Sequence, residues 1–530
     1  MQDIILKNGR IYDGSGSKEA YTADIAIKDG LISKIGENLN DEAKEIIDLG
    51  GLAVSPGFID VHSHSDTSFL WNERCESKVT QGVTSELAGQ CGSTIYPCPK
   101  DRMENIKRYA KSGLFDSDYY ASSSYEEFME KAKEQNKKMG TNLVSLIGHG
   151  ALRVGVLGQE ARKATKEEIA EMCRLLDEDM KNGAWGLSLG LGYSPGLNAD
   201  IEELIELGKV VQKYDGIITS HMRDQGDHIY EALEEMYEIY RKSGARVHIA
   251  HLKLSGKRNW GGADKLIENI NKAKEEGIKV TADMYPYIAA SSGITNSFPK
   301  WSIEGGTEKA AERLQGPERE KIMAFLEENF NTKEDAEGLY VVTTFGRYPQ
   351  ADGKNIWQLS QELGLSIPET IAKATIETNS HATCISFAMS NEDVMYLLGQ
   401  ENIGIGSDGS GMPLDPAENK GKPHPRNFGT FPRFLRLARE NNLGTLESRV
   451  HRMTKMNADI IGLKDRGLLA EGYVADITVF NPDTVTDTNS FEDPFSKCEG
   501  IEHVLMNGRF ALKNGEQTEA LLGNFIIKEN

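Results

Sequence analysis

The chain has 530 residues, which is too long for one small hydrophobic core, so a large domain with a smaller one is expected. Hydrophobic residues make up 39% of the chain, an ordinary value for a folded soluble protein and a high one for a disordered chain. The formal net charge of −21 argues against nucleic acid and anionic membranes as partners, because both would repel the mean field of the protein.

The first residues, MQDIILKNGRIYDG, contain no basic stretch followed by an apolar core, so no signal peptide is expected. No apolar run is long enough to span a bilayer. The six cysteines lack the spacing of a disulfide framework, which favours a reducing, cytoplasmic location. The sequence leaves the oligomeric state open.

Short apolar segments separated by turn residues occur at both ends of the chain. The dipeptides Asn8-Gly9 and Asp29-Gly30 lie between alternating apolar residues and predict hairpin turns. The predicted strand segments are, in chain order, DIILKNGRIYDG, ADIAIKDGLISKIG, KEIIDLGGLAVS, ADITVFN, IEHVLMNGRFALKNG and NFIIKEN.

The middle of the chain has a different pattern, in which short apolar strands alternate with long charged helices such as KEEIAEMCRLLDEDMKNG and DHIYEALEEMYEIYRKSG. The candidate strands are residues 57–64, 84–91, 142–150, 185–191, 216–222, 246–253, 279–287 and 403–410. Eight such units predict a parallel (β/α)8 barrel of the TIM type. A doubly wound open sheet is the alternative, but no glycine-rich phosphate loop follows an early strand.

These patterns divide the chain into domains. Residues 1–55 and 465–530 share the hairpin pattern and are expected to form one small β-sandwich domain. Residues 56–464 are expected to form the barrel. The stretch of about 290–390 adds the strand-like segments YVVTTF and HATCISFAM, which predict an inserted subdomain or lid before the last barrel strand.

The segment PGFIDVHSHSD places His62 and His64 one residue apart after an apolar run. Residues i and i+2 of a strand point the same way, so the two imidazoles would share one face. Two neighbouring imidazoles suit a divalent metal. The pair alone is a weak signal, because many such histidines only form hydrogen bonds at strand ends.

Six of the eight candidate strands end in a residue type that binds metals, in a chain with only 11 histidines and 6 cysteines. These residues are His62, His64, Cys91, His149, His221, His251 and Asp408. Alone, Cys91 would more often be a small buried residue, and Asp408 would more often cap a helix. Barrel enzymes carry their chemistry at the carboxyl ends of the strands, so the set as a whole predicts a metal site.

Mixed histidine and thiolate ligands favour zinc, and a coordination position left for water makes such a site catalytic. Zinc lowers the pKa of bound water and polarises a carbonyl oxygen. The carboxylate of Asp408 beside that water could accept its proton and pass it to a leaving amine. The predicted reaction is therefore hydrolysis of an amide or a related C–N bond.

At these residues the sequence resembles the amidohydrolase superfamily and, within it, the N-acyl-D-amino-acid deacylases. The resemblance runs nearly end to end. Its segments are SPGFIDVHSHSD, QGVTSELAGQCG, IGHGALR, GLSLGLGYSPG, TSHMRDQ, AHLK, DMYPY, GSDGS, HPRNFGTFPR and MNADIIGLKDRGLLAEGYVADITVF. The first and last are common to many amidohydrolases, whereas the cysteine after the second strand, AHLK, DMYPY and HPRNFGTFPR are specific to the deacylases.

The resemblance implies a zinc ion bound tightly by Cys91, His221 and His251. It also implies a second, weaker zinc position at His62 and His64, with Asp408 at that position as the general base. Many amidohydrolases bridge two metals with a carboxylated lysine on strand 4. Here strand 4, WGLSLGL, contains no lysine, so a thiolate bridge from Cys91 is expected instead of the lysine of a dihydroorotase or hydantoinase.

For the substrate, the resemblance implies a small anionic molecule. Lys253 lies two residues after His251 and resembles the family lysine that meets the substrate carboxylate, with Tyr285 as its partner. His149 and Arg153 are expected to support the substrate side of the site. By the same resemblance, deacylases that act on acyl-D-aspartate or acyl-D-glutamate are expected to carry an arginine after DMYPY. Residues 259–312 contain no arginine but do contain Phe298 and Trp301, so the resemblance implies a neutral, apolar D-side chain.

The predicted function is zinc-dependent hydrolysis of N-acyl-D-amino acids to a carboxylate and a free D-amino acid. A dipeptidase that cleaves an L-residue from a D-residue needs the same chemistry. Hydrolysis of another C–N bond, as in cyclic amides or in deamination, is a further alternative, which the absent strand-4 lysine disfavours. A non-catalytic barrel relative would not need the complete set of metal-binding residues.

Overall fold

The computed structural model describes residues 1–109 and 117–529. The strands of these residues are β1 (Gln2–Ile11), β2 (Tyr21–Lys28), β3 (Leu31–Gly36), β4 (Ala43–Asp48), β5 (Ala53–Pro56), β6 (Phe58–Asp60), β7 (Val83–Ala88), β8 (Asn142–Ser145), β9 (Ile147–Gly148), β10 (Gly186–Gly190), β11 (Ile217–His221), β12 (Arg246–Ile249), β13 (Val280–Met284), β14 (Ala290–Gly293), β15 (Leu339–Thr343), β16 (Lys354–Asn355), β17 (Thr383–Ser386), β18 (Gly404–Ile405), β19 (Ile477–Phe480), β20 (Ile501–Met506), β21 (Arg509–Lys513) and β22 (Glu516–Gln517).

The α-helices of the same residues are α1 (Glu76–Val79), α2 (Met103–Tyr109), α3 (Ser117–Tyr120), α4 (Tyr125–Glu134), α5 (His149–Leu157), α6 (Lys166–Lys181), α7 (Ile201–Lys213), α8 (Ile229–Ser243), α9 (Ala263–Glu275), α10 (Lys309–Leu314), α11 (Arg319–Asn329), α12 (Lys333–Glu337), α13 (Ile356–Leu363), α14 (Ile367–Glu377), α15 (Asn391–Leu398), α16 (Arg426–Glu440), α17 (Leu446–Met453) and α18 (Lys455–Ile461). None of these helices has both the length and the apolar character that a bilayer span requires.

Strands from both ends of the chain form one sheet in the order β22-β21-β20-β19-β5-β1-β2-β3, and β4 pairs with β1. Antiparallel pairing of β5 with β19 joins the two ends, with Val54 opposite Val479. The apolar side chains of the sheet form a core of their own. The prediction of a small β domain formed by both ends of the chain is confirmed.

Two segments near the chain ends differ from their predictions. Asn8-Gly9 forms no hairpin turn, because β1 continues through it with a register shift, and Asn8 has a φ of 56°. Such a bulge uses the same residue types as a turn. The final segment, NFIIKEN, forms no strand of the small sheet in its described residues, since the backbones of Asn524 and Ile526 bond to Leu143 of the barrel instead.

The parallel barrel is confirmed. Strands β6-β7-β8 form one run and β9-β10-β11-β12-β13-β18 form the other, with a single residue between β8 and β9. The circle closes just beyond β6 and β18, where Ser63 forms a parallel bridge with Gly409. All candidate barrel strands are present, although most end earlier than predicted.

Between β13 and β18, the antiparallel strands β14, β15, β16 and β17 form a separate sheet in the order β14-β17-β15-β16. Helices α10 to α14 lie in the same part of the chain. Their apolar side chains form a core that is distinct from the barrel core and includes Phe298, Leu326 and Ile371. The expected division of the chain into domains stays a prediction, which these separate cores support.

Lys78, on α1, lies fully buried at the point where the barrel closes. Its Nζ atom is 2.7 Å from Asp60 Oδ2, 2.7 Å from Ser407 Oγ and 3.2 Å from Glu86 Oε2. Burial would lower the pKa of Lys78, but the two carboxylates outweigh burial and raise it. The ammonium therefore holds together the ends of β6, β7 and β18.

We expect Lys78→Met to destabilise the protein by about 3–5 kcal/mol, because it leaves two buried carboxylates without their cation. Chemical denaturation measures this loss. Lys34→Met is the control, because Lys34 is half exposed and pairs with Asp41 at the surface, so the denaturation midpoint should stay unchanged. Equal midpoints for the two variants would contradict the role of the buried ion pairs.

Candidate metal centre

The structure brings the six predicted metal ligands together at the carboxyl end of the barrel strands. The sulfur of Cys91 lies 3.5 Å from His62 Nε2, 3.5 Å from His251 Nε2 and 3.9 Å from His221 Nδ1. The last two nitrogens are 2.9 Å apart. Ligand atoms around a tetrahedral zinc are separated by about 3.3–3.6 Å, given zinc–sulfur and zinc–nitrogen distances of about 2.3 and 2.0 Å. The distances from the sulfur to His62 and His251 lie within this range, whereas the distance to His221 is longer and that between the two histidine nitrogens is shorter; the donor types are those that zinc prefers.

The remaining predicted ligands, His64 and Asp408, also lie near His62. Asp408 Oδ1 is 3.5 Å from His62 Nε2 and 3.1 Å from His64 Nε2. One ligand atom from each of His62, Cys91, His251 and Asp408 lies within 4.8 Å of the other three. The sulfur of Cys91 thus lies between two groups of ligands, a position from which one thiolate can contact two metals. The division into a tight and a weaker position stays a prediction.

The predicted strands are too long at these ends. Strands β7, β12 and β18 stop before the ligands, which lie in the following loops. Cys91, His251 and Asp408 have φ angles of 55°, 38° and 51°, a left-handed conformation that ends a strand. Such backbone is unfavourable for residues with side chains and is concentrated at functional sites. His62 and His64 likewise lie beyond β6, so loop geometry and not strand alternation brings them together.

The electrostatics at Cys91, His221 and His251 suit a metal, whereas the pKa values of His62 and His64 are raised, because Asp283, Asp408 and Cys91 outweigh the effect of burial. Burial would raise the pKa of the Cys91 thiol, but His251 and His62 outweigh burial and lower it well below its usual value. Burial lowers the pKa of His221, and burial together with Lys253 lowers that of His251 to about 3. A thiolate and neutral imidazoles are the protonation states that bind zinc.

Arg426 is a site residue to which the sequence assigned no role. Its Nη1 atom is 2.7 Å from Asp408 Oδ2, and both side chains are almost completely buried. Burial would raise the pKa of Asp408, but Arg426 is the largest influence against it and the pKa lies well below its usual value. The HPR motif was the available signal, but its contact with Asp408 depends on the packing of α16.

Asp283 is a second residue that sequence reasoning missed. Its Oδ2 atom lies 3.3 Å from His62 Nδ1 and 2.8 Å from His248 Nε2, and its Oδ1 atom accepts the backbone N–H of His251 at 3.1 Å. The side chain is completely buried. Burial would raise the pKa of Asp283, but His62 and His248 outweigh burial and lower it. Asp283 lies in the DMYPY segment, and nothing in that segment of the sequence indicated a contact with the histidines.

Lys253 and Tyr285, the predicted substrate residues, lie side by side. Lys253 Nζ is 5.3 Å from the centre of the Tyr285 ring and 3.2 Å from Gln225 Oε1. Burial lowers the pKa of Lys253 to about 8. The Arg426 guanidinium lies 5.0 Å from the same ring, so two cations flank Tyr285 next to the metal ligands.

The structure does not bring His149 and Arg153 to the ligand cluster. Both side chains are completely buried and contact Glu203 on α7, with a distance of 2.7 Å from His149 Nε2 to Glu203 Oε1. The second guanidinium nitrogen of Arg153 donates to the carbonyl oxygen of Arg162. These contacts support the barrel wall behind the site, and the predicted contact of these residues with substrate stays untested.

Comparison with known proteins agrees with this geometry. The model of the Amidohydrolase family matches residues 45–292 and 402–511, and the unmatched interval contains β15, β16 and β17 of the inserted sheet and helices α10 to α14. The N-acyl-D-aspartate deacylase of Alcaligenes xylosoxydans xylosoxydans is 32% identical over 520 residues, which cover 98% of this chain and 93% of that protein.

Two solved structures extend the likeness to the fold. A crystal structure of D-aminoacylase has a TM-score of 0.82 and 29% identity, with complete coverage of both chains. The N-acyl-D-glutamate deacylase of Bordetella bronchiseptica, complexed with zinc and a phosphonate mimic of the tetrahedral intermediate, has a TM-score of 0.80 and 28% identity. That match covers 98% of this chain and 99% of the other. The chain belongs to the amidohydrolase family.

We expect Cys91→Ala to lose zinc, because the sulfur contacts both groups of ligands. Zinc content per chain after removal of free metal measures the effect, and a value below about a tenth of the wild-type content is expected. Cys173→Ala is the control, since Cys173 lies on α6 away from the ligands and should retain the wild-type content. Full zinc retention by Cys91→Ala would exclude the thiolate as a ligand.

Proposed function

We propose that this protein is a zinc-dependent deacylase that hydrolyses the amide bond of N-acyl-D-amino acids, releasing a carboxylate and a free D-amino acid. The observation that carries the proposal is the combination of a histidine–thiolate ligand cluster with a buried aspartate at its edge and a buried lysine beside it. The ligand cluster would support metal-assisted hydrolysis, and the lysine would supply a cation for the carboxylate of an amino acid.

Cys91, His221 and His251 would hold the working zinc, which activates water and polarises the amide carbonyl when bound. Asp408 then accepts a proton from the attacking water and delivers it to the nitrogen of the leaving D-amino acid. Arg426 keeps the Asp408 carboxylate anionic before attack and fixes its orientation through Oδ2. This leaves Oδ1 directed towards His64, at the edge of the cluster.

Lys253 would bind the substrate carboxylate, with Tyr285 closing one side of that pocket. A linear N-acyl-amino acid has this carboxylate next to the scissile amide. The sequence of β10, GLSLG, has no lysine to carry a bridging carboxylate, and the Cys91 sulfur lies between the two ligand groups. Both features favour a linear amide over the cyclic amide of a hydantoinase-like reaction.

A related D-aminoacylase has a binuclear metal centre, in which one metal activates and the second attenuates. We propose the same division here, with His62, His64 and Asp408 at the second position. A metal at that position would occupy the carboxylate that the proposed mechanism uses as its base. Proton transfer by Asp408 then requires this position to be free or weakly held.

The D-side chain of the substrate is the least defined part of the proposal. Its predicted neutral character rests on the absence of arginine in residues 259–312, but the same stretch contains Lys300. Lys300 Nζ lies 3.1 Å from the carbonyl oxygen of Gly192. The neighbouring Tyr193 packs on His221 with ring centres 4.4 Å apart. A cation so close to a metal ligand favours an acidic D-side chain as the second candidate.

Asp408→Asn should reduce kcat at least a hundredfold while zinc stays bound, because asparagine cannot accept the proton. Steady-state kinetics and zinc content measure the two effects. A zinc-loaded Asp408→Asn enzyme with substantial turnover would contradict the assignment of Asp408 as general base.

The substrate prediction uses N-acetyl-D-methionine, N-acetyl-D-aspartate and their L-enantiomers. We expect hydrolysis of the D-forms alone. We also expect Lys300→Met to lower kcat/KM for the aspartate at least tenfold and to leave that for methionine within about threefold. Equal effects on both substrates would remove Lys300 from substrate selection, and preference for L-forms would overturn the proposed function.

A further inference from the structure

His248 is a completely buried histidine on β12 that the proposed reaction does not use. Its backbone pairs with Thr281 on the neighbouring strand β13, and Asp283 follows two residues later on the same face. This register places one ring nitrogen against each of the two residues. His248 Nδ1 is 2.8 Å from Thr281 Oγ1, and His248 Nε2 is 2.8 Å from Asp283 Oδ2.

Thr281, His248 and Asp283 form a series of hydrogen bonds, and the carboxylate of Asp283 determines which atoms in it donate and which accept. Asp283 can only accept, so the Nε2 atom of His248 carries the hydrogen and donates. In a neutral imidazole the other nitrogen is then an acceptor, so the hydroxyl of Thr281 donates to Nδ1. Asp283 therefore fixes the tautomer of His248, and the hydroxyl of Thr281 donates to the remaining ring nitrogen.

Asp283 in turn contacts two of the predicted metal ligands. It accepts from the ring of His62 and from the backbone N–H of His251. His251 has a left-handed backbone, so this hydrogen bond helps to keep an unfavourable conformation in place. Partners of this kind set the ring orientation and tautomer of metal-binding histidines.

We propose that His248 and Thr281 are positioning residues for the metal centre: Thr281 anchors the ring of His248 by a hydrogen bond to Nδ1, and His248 holds Asp283 in the orientation that aligns His62 and His251. The inference deepens the proposed function and rests on it. Neither residue touches the substrate, and both act through Asp283.

The first test compares His248→Leu with His248→Gln. Leucine fills the space without a donor, whereas glutamine keeps an N–H near the position of Nε2. We expect His248→Leu to lower zinc affinity about 10–100-fold, the range found for partners of metal ligands, and His248→Gln to stay within about fivefold of wild type. Competition with a chromophoric chelator measures the affinity, and thermal melting of the metal-free proteins reports stability separately.

The second test changes Thr281 and removes only one hydrogen bond, so it applies even where His248→Leu folds poorly. Thr281 lines a cavity of about 270 Å³ at the opposite end of the barrel, together with Arg246 and Lys279, so small changes at this position meet no close-packed wall. Thr281→Val should lower zinc affinity about fivefold, as expected for one lost hydrogen bond, whereas Thr281→Ser keeps the hydroxyl and should match wild type.

A purely structural role predicts a different result. In that case His248→Leu and His248→Gln would differ in melting temperature but share one zinc affinity, and Thr281→Val would bind zinc as Thr281→Ser does. Either pair of equal affinities would overturn the positioning role while the zinc-dependent activity of wild type stands. A wild-type protein without zinc affinity would overturn the proposed function and this inference together.

Discussion

The balance of buried charge at the end of the barrel is the constraint on which the site depends. The thiolate of Cys91 and the carboxylates of Asp283 and Asp408 place three negative charges within a few ångströms of the histidine rings. Lys253 and Arg426 supply two positive charges in the same space. Buried charges are costly unless compensated, and the pKa values of His62 and His64 are raised by these anions, so a bound cation would replace protons on the two histidines.

The same balance bears on how many metals the site accommodates. One divalent ion changes the excess from one negative to one positive charge, which the carboxylate of an N-acyl-amino acid neutralises. A second ion would raise the excess further in a space that already contains two fixed cations. The proposed weak occupancy of the position at His62 and His64 agrees with this balance and with the proposed role of Asp408 as the base.

The residues that the sequence predicts as ligands cluster in the structure because a parallel barrel brings the ends of all its strands to one edge. A histidine, cysteine or aspartate at the end of a predicted strand is therefore near the others, even when the strand itself ends two or three residues early, as at Cys91 and Asp408. Arg426 and Asp283 could not be found in this way. Their roles depend on contacts between side chains from distant segments, and an arginine or aspartate in a motif does not reveal its partner.

His149 and Arg153 illustrate another limit of prediction from the sequence. His149 follows a barrel strand and Arg153 lies one turn later on α5, and both side chains contact Glu203 on α7. The sequence did not indicate this buried carboxylate, and the predicted contact of the two residues with substrate stays untested. Asn8-Gly9 is a comparable case near the chain terminus, since the same dipeptide suits a turn and a bulge and only the pairing of β1 with β2 decides between them.

Because the inserted sheet has a core of its own, the barrel and the insert contribute different residues to the site. The residues that carry the chemistry lie on the barrel, whose closure depends on Lys78 and its carboxylates. Lys300 belongs to the inserted segment, next to Phe298 of the insert core, yet its ammonium contacts the loop after β10 at Gly192. In the proposed mode of binding, in which Lys300 faces the substrate side chain, substitutions in the insert change that charge without disturbing the predicted metal ligands. Relatives that share the barrel and differ in the D-amino acid they accept are the expected result of such an arrangement.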